Sequence, residues 1–175
     1  RISELAGYIA EQLDLDKDAA TRAGLLCKAD LVSDMVSEFP DLQGTMGSYY
    51  ARHHNEADEV CTAIGEHYRP TQSGGILPTS EMASCVALAD KIDSLVGIFG
   101  INQPPTGSRD PFALRRQSLG VIRICVENQL NIPLDGCLAE SSRLYGRSFG
   151  TTSVLNYIVE RLTGYYQEQG ITGDV

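Results

Sequence analysis

Histidine and aspartate are the residue types in this sequence that could hold a metal ion and do hydrolytic chemistry with it. The candidates are the three histidines, His53, His54 and His67, together with Asp90, which shares an apolar stretch with a second aspartate, Asp93. Imidazole and carboxylate ligands together suit a divalent transition metal. However, His53 and His54 are neighbours, and neighbouring side chains on a helix point about 100° apart. Capping or surface histidines are therefore favoured over metal ligands.

The two aspartates lie in residues 82–100, a stretch that is long enough for several helical turns and apolar on nearly every side. A helix of that kind belongs in the interior of a protein. A buried carboxylate must find hydrogen bonds, a cation or a metal ion to offset several kcal/mol of lost hydration. Asp90 and Asp93 therefore either support a site or are what remains of one.

A second cluster of polar residues ends the helix predicted for residues 56–68. His67 and Arg69 fall in its last turn, where the helix macrodipole favours positive charge, so that no catalysis is needed to explain them. Arg69 also precedes a glycine-rich loop, which makes a phosphate contact a second interpretation. The sequence contains no G-x-S-x-G motif, catalytic triad or acid pair that stands above chance.

The formal net charge of −9 argues against a nucleic-acid partner, but the charge is unevenly distributed. Residues 1–100 carry seven Lys or Arg against sixteen acids, and residues 101–175 carry seven arginines against seven acids. Only the local potential matters to a phosphate group. A local basic surface and ordinary solvated arginines are both compatible with this pattern, and the residues concerned are Arg109, Arg115, Arg116, Arg123, Arg143 and Arg147.

The five cysteines form an odd set without a C-x-x-C motif, and several lie in apolar stretches. Buried, reduced thiols are favoured over zinc or redox sites, which is typical of a cytosolic protein. No apolar run reaches the length of about 18 residues that a membrane span needs. Because the sequence begins at Arg1, we expect a piece of a larger soluble protein.

Apolar residues recur at helical spacing throughout, and no segment alternates with period two, so the sequence predicts an all-α fold. A helix capped by Asp16 or Asp18, or a bent continuation of that helix, is expected to run to Phe39, with small residues for close packing around Gly24. Thr79 or Ser80 is expected to cap the helix predicted for the apolar stretch of residues 82–100. The other helices are predicted near residues 1–13, 56–68, 110–128 (with Asp110 as N-cap and Pro111 in the first turn), 134–145 and 151–167.

Five segments resemble, in sequence, order and spacing, the β subunit of the bacterial two-subunit glycyl-tRNA synthetase. They are AGLLCKADLVSDMV (23–36), EFPDLQGTMG (38–47), YARH (50–53), ALADKIDSLVGIFG (87–100) and DPFALRR (110–116). The resemblance covers nearly the whole chain. Within that subunit, this region resembles an HD-type helical domain, a fold named for the His-Asp metal-binding pair of phosphohydrolases.

The HD motif itself is altered. Where an HD hydrolase has leucine-leucine-histidine-aspartate, this sequence has Leu25-Leu26-Cys27-Lys28, and of the usual ligands only Asp90 is retained. The resemblance therefore implies a vestigial site of Cys27, Lys28 and Asp90 that holds no metal and lacks the parts of a two-metal mechanism. We expect Lys28 or Arg52 to pair with Asp90 in place of the metal.

The resemblance implies an HD-domain-like helical bundle over residues 1–130, with additional C-terminal helices over 131–175 that pack on it or begin the next module. The parent is expected to be a cytoplasmic α2β2 ligase that joins glycine to tRNA(Gly) with ATP and Mg²⁺. Adenylation is assigned to the α subunit, and this piece would need no cofactor. Its expected task is to bind and position tRNA, on the acceptor side, in contact with the α subunit and other β-subunit domains and without a membrane.

Arg109, Arg115 and Arg116 are the first candidates for RNA contacts, followed by Arg52, Arg69 and Arg123. Two other functions compete with RNA positioning. One is a metal-dependent HD-type phosphohydrolase with a degraded motif, which would bind a transition metal and turn over a phosphoester. The other is a purely structural scaffold that contacts only neighbouring domains.

Overall fold

The structure, a computed structural model, describes residues 1–107, 109–146 and 149–171. In these ranges it contains nine α-helices and no strand, so the all-α prediction is confirmed; the HD-like relationship stays a prediction. The helices are α1 Ile2–Gln12, α2 Lys17–Leu26, α3 Asp34–Glu38, α4 Thr45–His53, α5 Asp58–Glu66, α6 Glu81–Gly100, α7 Leu114–Glu127, α8 Leu134–Leu144 and α9 Thr152–Glu168. Two 3₁₀ segments, Ala29–Val32 and Pro40–Leu42, flank α3.

Helix α6 forms the centre of the fold, as the sequence predicts. It contacts α1, α2, α5, α7, α8 and α9. The Ser80 hydroxyl caps its N-terminus by accepting a hydrogen bond of 3.1 Å from the Ala83 amide. Leu88, Ile92 and Leu95 are fully buried, and burial of each such side chain contributes about 1.5–3 kcal/mol relative to leaving it exposed. The helix is therefore the element that fixes where Asp90 and Asp93 lie.

The expected continuation of α2 to Phe39 is wrong. Helix α2 ends at Leu26, and the chain passes through the first 3₁₀ segment before Ser33 starts α3 as an extended N-cap residue. The Ser33 hydroxyl accepts from the Val36 amide at 3.3 Å and donates to the Asp30 carbonyl at 2.7 Å. This local hydrogen bonding competes with a continuous helix. In the segment Val36 is buried, whereas Leu31, Val32, Met35 and Phe39 are exposed.

The predicted start of α7 is also wrong by three residues, although its capping residue is right. The helix begins at Leu114, after Ala113 in the left-handed region with φ 53°. The Asp110 carboxylate nevertheless accepts hydrogen bonds from the Leu114 amide at 2.8 Å and the Arg115 amide at 2.9 Å. A turn through Pro111 lets the same side chain cap a helix that starts later.

The C-terminal helices pack on the same core as the rest of the chain. Helix α8 contacts α1 and α6, and α9 contacts α6, α7 and α8, with Leu138, Val154 and Ile158 buried. Their positions agree with the helices predicted for 134–145 and 151–167. The division of the chain at residue 130 stays a prediction. In the described part of the chain, no helix has the length and apolar character to cross a bilayer.

Gly24 allows α1 and α2 to approach each other closely, and we expect Gly24→Ala to destabilise the protein by up to about 2 kcal/mol. A Cβ atom at this position would lie 2.8 Å from the Ser3 Cα atom and 3.0 Å from the Ile2 carbonyl oxygen, both in the backbone of α1. Overpacking costs about 1–3 kcal/mol, and the better helix propensity of alanine offsets about 1 kcal/mol of that. Urea unfolding measures the difference.

Gly164→Ala is the matched control for this prediction. Gly164 also lies inside a helix, α9, but a Cβ atom there would meet nothing within 4 Å. This variant should therefore gain about 0.5–1 kcal/mol from helix propensity alone. Equal shifts for the two variants would contradict the close helix contact at Gly24.

Candidate nucleic-acid interface

The structure contains the expected ion pair between Lys28 and Asp90. The Lys28 Nζ atom, just beyond the end of α2, lies 3.0 Å from Asp90 Oδ1 on α6, and the two side chains are 30% and 11% exposed. The ammonium group also lies 3.8 Å from the ring centroid of Tyr68. Arg52, the alternative partner, is instead 3.9 Å from Asp58. The Lys28 pairing is confirmed, whereas its descent from a metal site stays a prediction.

His67, close to this pair, is fully buried at the C-cap position of α5, so of the two predicted alternatives it is a capping histidine and not a surface one. Burial, with Lys28 as the next cause, lowers the pKa of His67 to about 4. The imidazole is therefore neutral at pH 7 and takes no part in a macrodipole interaction. Its Nδ1 atom lies 2.6 Å from the Ile64 carbonyl oxygen, which identifies Nδ1 as the protonated nitrogen. His53 and His54 are exposed, as expected.

Lys91 is the residue of this cluster that sequence analysis missed. It is 2% exposed, and its Nζ atom donates a hydrogen bond of 3.3 Å to the Tyr68 carbonyl oxygen. Burial lowers the pKa of Lys91 to about 8, Asp90 raises it, and Lys28 and Arg116 lower it further. Gly120 on α7 leaves room for it, because a Cβ atom there would lie 2.7 Å from Lys91 Cε. Its position within the apolar stretch of residues 82–100 is the signal from which a buried lysine could have been predicted.

The donor atoms around Asp90 do not fit a metal ion. Burial raises the pKa of the Cys27 thiol to about 12, and its Sγ atom lies 3.3 Å from the Gly24 carbonyl oxygen. Metal ligation requires the thiolate. Asp93 is bound to Arg1 at 2.8 Å. Within the described ranges, no group of three His, Cys, Asp or Glu side chains is arranged to hold a metal ion.

Two of the predicted RNA-binding residues, Arg69 and Arg116, line one groove. The groove has a volume of about 600 Å³ and lies between the turn after α5 and the first turn of α7. Arg69 is held by Glu66 at 2.6 Å, whereas Arg116 is exposed and forms no salt bridge with any residue that the structure describes. Thr45, Thr71 and Gln117 add hydroxyl and amide groups, and Asp41 adds one carboxylate.

The remaining arginines do not join this groove. Arg123 is 11% exposed and binds Glu127 at 2.6 Å and the Gly75 carbonyl oxygen at 2.9 Å. Arg115 donates to the Gly107 carbonyl oxygen, and Arg109 is exposed in the same loop. Two further members of the expected basic surface are Arg143, bound to Glu140, and Arg147, which lies outside the described residues. Of the five members of that set that the structure describes, Arg116 alone lines the groove.

Comparison with known proteins agrees with the resemblance seen in the sequence. The family model described as "Glycyl-tRNA synthetase beta subunit" matches residues 1–175. The glycine–tRNA ligase beta subunit of Shewanella woodyi is 50% identical over 179 residues, which cover 100% of this chain and 26% of the relative. The corresponding subunit of Edwardsiella ictaluri is 53% identical over 174 residues, which cover 97% of this chain and 25% of the relative.

The chain thus spans about a quarter of the length of the curated relatives that it matches. The match to the family model nevertheless extends over every residue of it. The chain belongs to the glycyl-tRNA synthetase beta subunit family.

Proposed function

We propose that this chain is the part of a glycine–tRNA ligase β subunit that helps to hold the acceptor side of tRNA(Gly). The complete α2β2 enzyme would act in the cytoplasm, and its α subunit would join glycine to the tRNA with ATP and Mg²⁺. This part of the subunit would position the tRNA and would supply no catalytic group or cofactor. Family membership supports the assignment to a glycine–tRNA ligase. The observation that supports the tRNA-binding role is the groove lined by both Arg69 and Arg116.

The groove has the chemistry that a phosphate contact needs. Guanidinium groups present planar, bidentate donors to phosphate, and the hydroxyl and amide groups beside them add neutral donors. Arg116 is near enough to Lys91 to lower its pKa, so positive charge extends from the groove into the interior. Arg69 is paired with Glu66, and Asp41 also lines the groove, so Arg116, which forms no salt bridge with any described residue, is the first candidate for a phosphate contact.

A small number of phosphate contacts gives modest affinity, but it fixes orientation. Holding a reactant in register can supply several kcal/mol to a reaction that is carried out by groups elsewhere. That is the expected contribution of a domain whose own polar cluster is occupied by the Lys28–Asp90 pair. The same pair and the protonated Cys27 thiol weigh against the phosphohydrolase alternative.

The double change Arg69→Gln and Arg116→Gln in the complete enzyme tests the RNA role. We expect kcat/KM for tRNA to fall by about tenfold to a hundredfold, because two charge-assisted hydrogen-bonding groups are lost. Amino-acid activation, measured as pyrophosphate exchange without tRNA, should not change. The slope of log affinity against log salt should become shallower by about one for each phosphate contact removed.

Arg143→Gln is the matched control, because Arg143 is 67% exposed and lies away from the groove. It should charge tRNA as the wild type does. If the double variant also does so, the scaffold alternative is correct. Hydroxyl-radical footprinting separately tests the side of the tRNA: the double variant should lose protection in the acceptor stem, and loss confined to the anticodon arm would contradict the proposal.

A further inference from the structure

Exposed large hydrophobic side chains are concentrated in one short part of the chain. Of the twelve in the described residues, seven lie between residues 25 and 50, and Val32 is 91% exposed. Contiguous apolar patches of more than a few hundred Å² are rare on monomeric proteins and mark interaction sites. We call this group the apolar face: Leu25, Leu31, Val32, Met35, Phe39, Tyr49 and Tyr50.

The short segments that carry most of the apolar face pack against one another. Helix α3 contacts both 3₁₀ segments, and the first of these contacts α4. Asp30 ties the first 3₁₀ segment to the start of α4, since its Oδ2 atom accepts from the Gly44 amide at 2.6 Å and the Gly47 amide at 3.0 Å. Ser33 caps α3 on the same segment. The backbone thus holds these apolar side chains outward.

The charge of this region identifies the kind of partner. Residues 29–51 contain no lysine or arginine and four acids, Asp30, Asp34, Glu38 and Asp41. Phosphate groups would be repelled here, which excludes an RNA backbone as the partner. Apolar side chains among acids complement a protein surface with an apolar centre and Lys or Arg at its rim.

A groove beside the apolar face provides a place for one basic side chain of that partner. It has a volume of about 520 Å³, and its lining includes Leu26, Asp30, Tyr50 and the ion pair between Arg22 and Glu56, so that Asp30 is the carboxylate there without a cation. Asp30 Oδ1 is buried and has no hydrogen-bond partner among the residues that the structure describes. A buried carboxylate oxygen without a donor is costly, and a cationic side chain entering the groove would reduce that cost.

We infer that the apolar face docks against another part of the same β subunit, one whose surface has an apolar centre and a Lys or Arg rim. The chain spans about a quarter of the length of its relatives, so most of such a subunit lies outside this stretch. Parts of one polypeptide meet at an effective concentration in the millimolar range, so that an interface of modest size suffices. The inference rests on family membership and is independent of the proposed RNA role.

Photo-cross-linking in the full-length subunit, assembled with its α subunit, tests this docking. Phe39, which is 59% exposed, is replaced by p-benzoylphenylalanine, and the cross-linked peptides are identified by mass spectrometry. We expect cross-links to β-subunit residues outside this stretch, and mixed labelled and unlabelled subunits should show that they form within one chain. Cross-links to the α subunit, to tRNA or to a second β chain would overturn the inference.

The matched control places the same photoreactive residue at Ile76, which is 74% exposed and lies outside the apolar face. It should give no cross-link to the region that Phe39 contacts. A second measurement compares Val32→Glu with Ile76→Glu in the full-length subunit by hydrogen exchange. Val32→Glu should raise exchange across the apolar face and its covering region at least tenfold, and Ile76→Glu should not. Equal exchange in the two variants would show that the face is open to solvent.

Discussion

Lys28→Ala is expected to lower the free energy of unfolding by about 2–3 kcal/mol. The substitution leaves the Asp90 carboxylate, 11% exposed, without the cation that lies 3.0 Å away. Breaking a fully buried pair costs about 3–5 kcal/mol and breaking an exposed one about 0–1 kcal/mol. The pair with Asp90 lies between these limits because the Lys28 side chain is 30% exposed. The contact of the ammonium group with the Tyr68 ring is lost as well.

Equilibrium urea unfolding of Lys28→Ala, Asp90→Asn and the double variant measures the coupling directly. The double variant should recover most of the loss, because no unpaired charge remains in it. Lys17→Ala is the control: Lys17 also lies 2.8 Å from a carboxylate, that of Glu11, but both side chains are about half exposed, so little change is expected. A Lys28→Ala protein as stable as the wild type would contradict the stabilising role of the pair.

The sequence predicted this region well where one local pattern determines the structure. The apolar run and its capping serine located α6, and the cost of a buried carboxylate required partners for Asp90 and Asp93. Lys28 as the partner of Asp90 came from the resemblance to HD domains, since no spacing rule joins the two residues. The structure confirms the contact and adds Lys91, which the charge-pairing argument had passed over.

The parts that could not be predicted depend on contacts between distant segments. Residues 27–39 have the apolar spacing of a helix, but Asp30 bonds to Gly44 and Gly47, and Ser33 starts a new helix. A local pattern contains no information about those hydrogen bonds. As a result, the stretch predicted as one helix contains a 3₁₀ segment and the short helix α3, and it carries Leu31, Val32, Met35 and Phe39 of the apolar face.

The arginines illustrate the same limit. Composition identified them, but their grouping in space depends on how the end of α5 meets the start of α7. Arg69, which sequence analysis ranked among the weaker candidates for RNA contacts, shares a groove with Arg116. Arg123, of the same rank, is instead bound to Glu127. Which of them contact RNA stays a prediction, and the double variant at Arg69 and Arg116 is its test.

Lys91→Met is expected to stabilise the protein by about 2 kcal/mol at pH 7 and to lose this advantage at high pH. Burial is the largest cause that lowers the pKa of Lys91 from 10.5 to about 8, and this difference corresponds to about 3 kcal/mol of destabilisation while the lysine is protonated in both states. Loss of the hydrogen bond to the Tyr68 carbonyl oxygen offsets about 1 kcal/mol.

The direction of the pH effect follows from proton binding. Between pH 8 and pH 10.5 the unfolded wild type retains the Lys91 proton that the folded protein has released, so the stability of the wild type rises with pH in this window. Lys91→Met lacks that rise. The difference between the two proteins, measured by urea unfolding at several pH values, should therefore change by about 3 kcal/mol across the window, so that the advantage of the variant of about 2 kcal/mol at pH 7 becomes a disadvantage of about 1 kcal/mol near pH 10.5. Cysteines and tyrosines also titrate there, but they are common to both proteins and cancel in the difference. A difference that stays constant from pH 7 to pH 10.5 would mean that Lys91 remains protonated in the folded protein, and the exposed control Lys17→Met should show no such pH dependence.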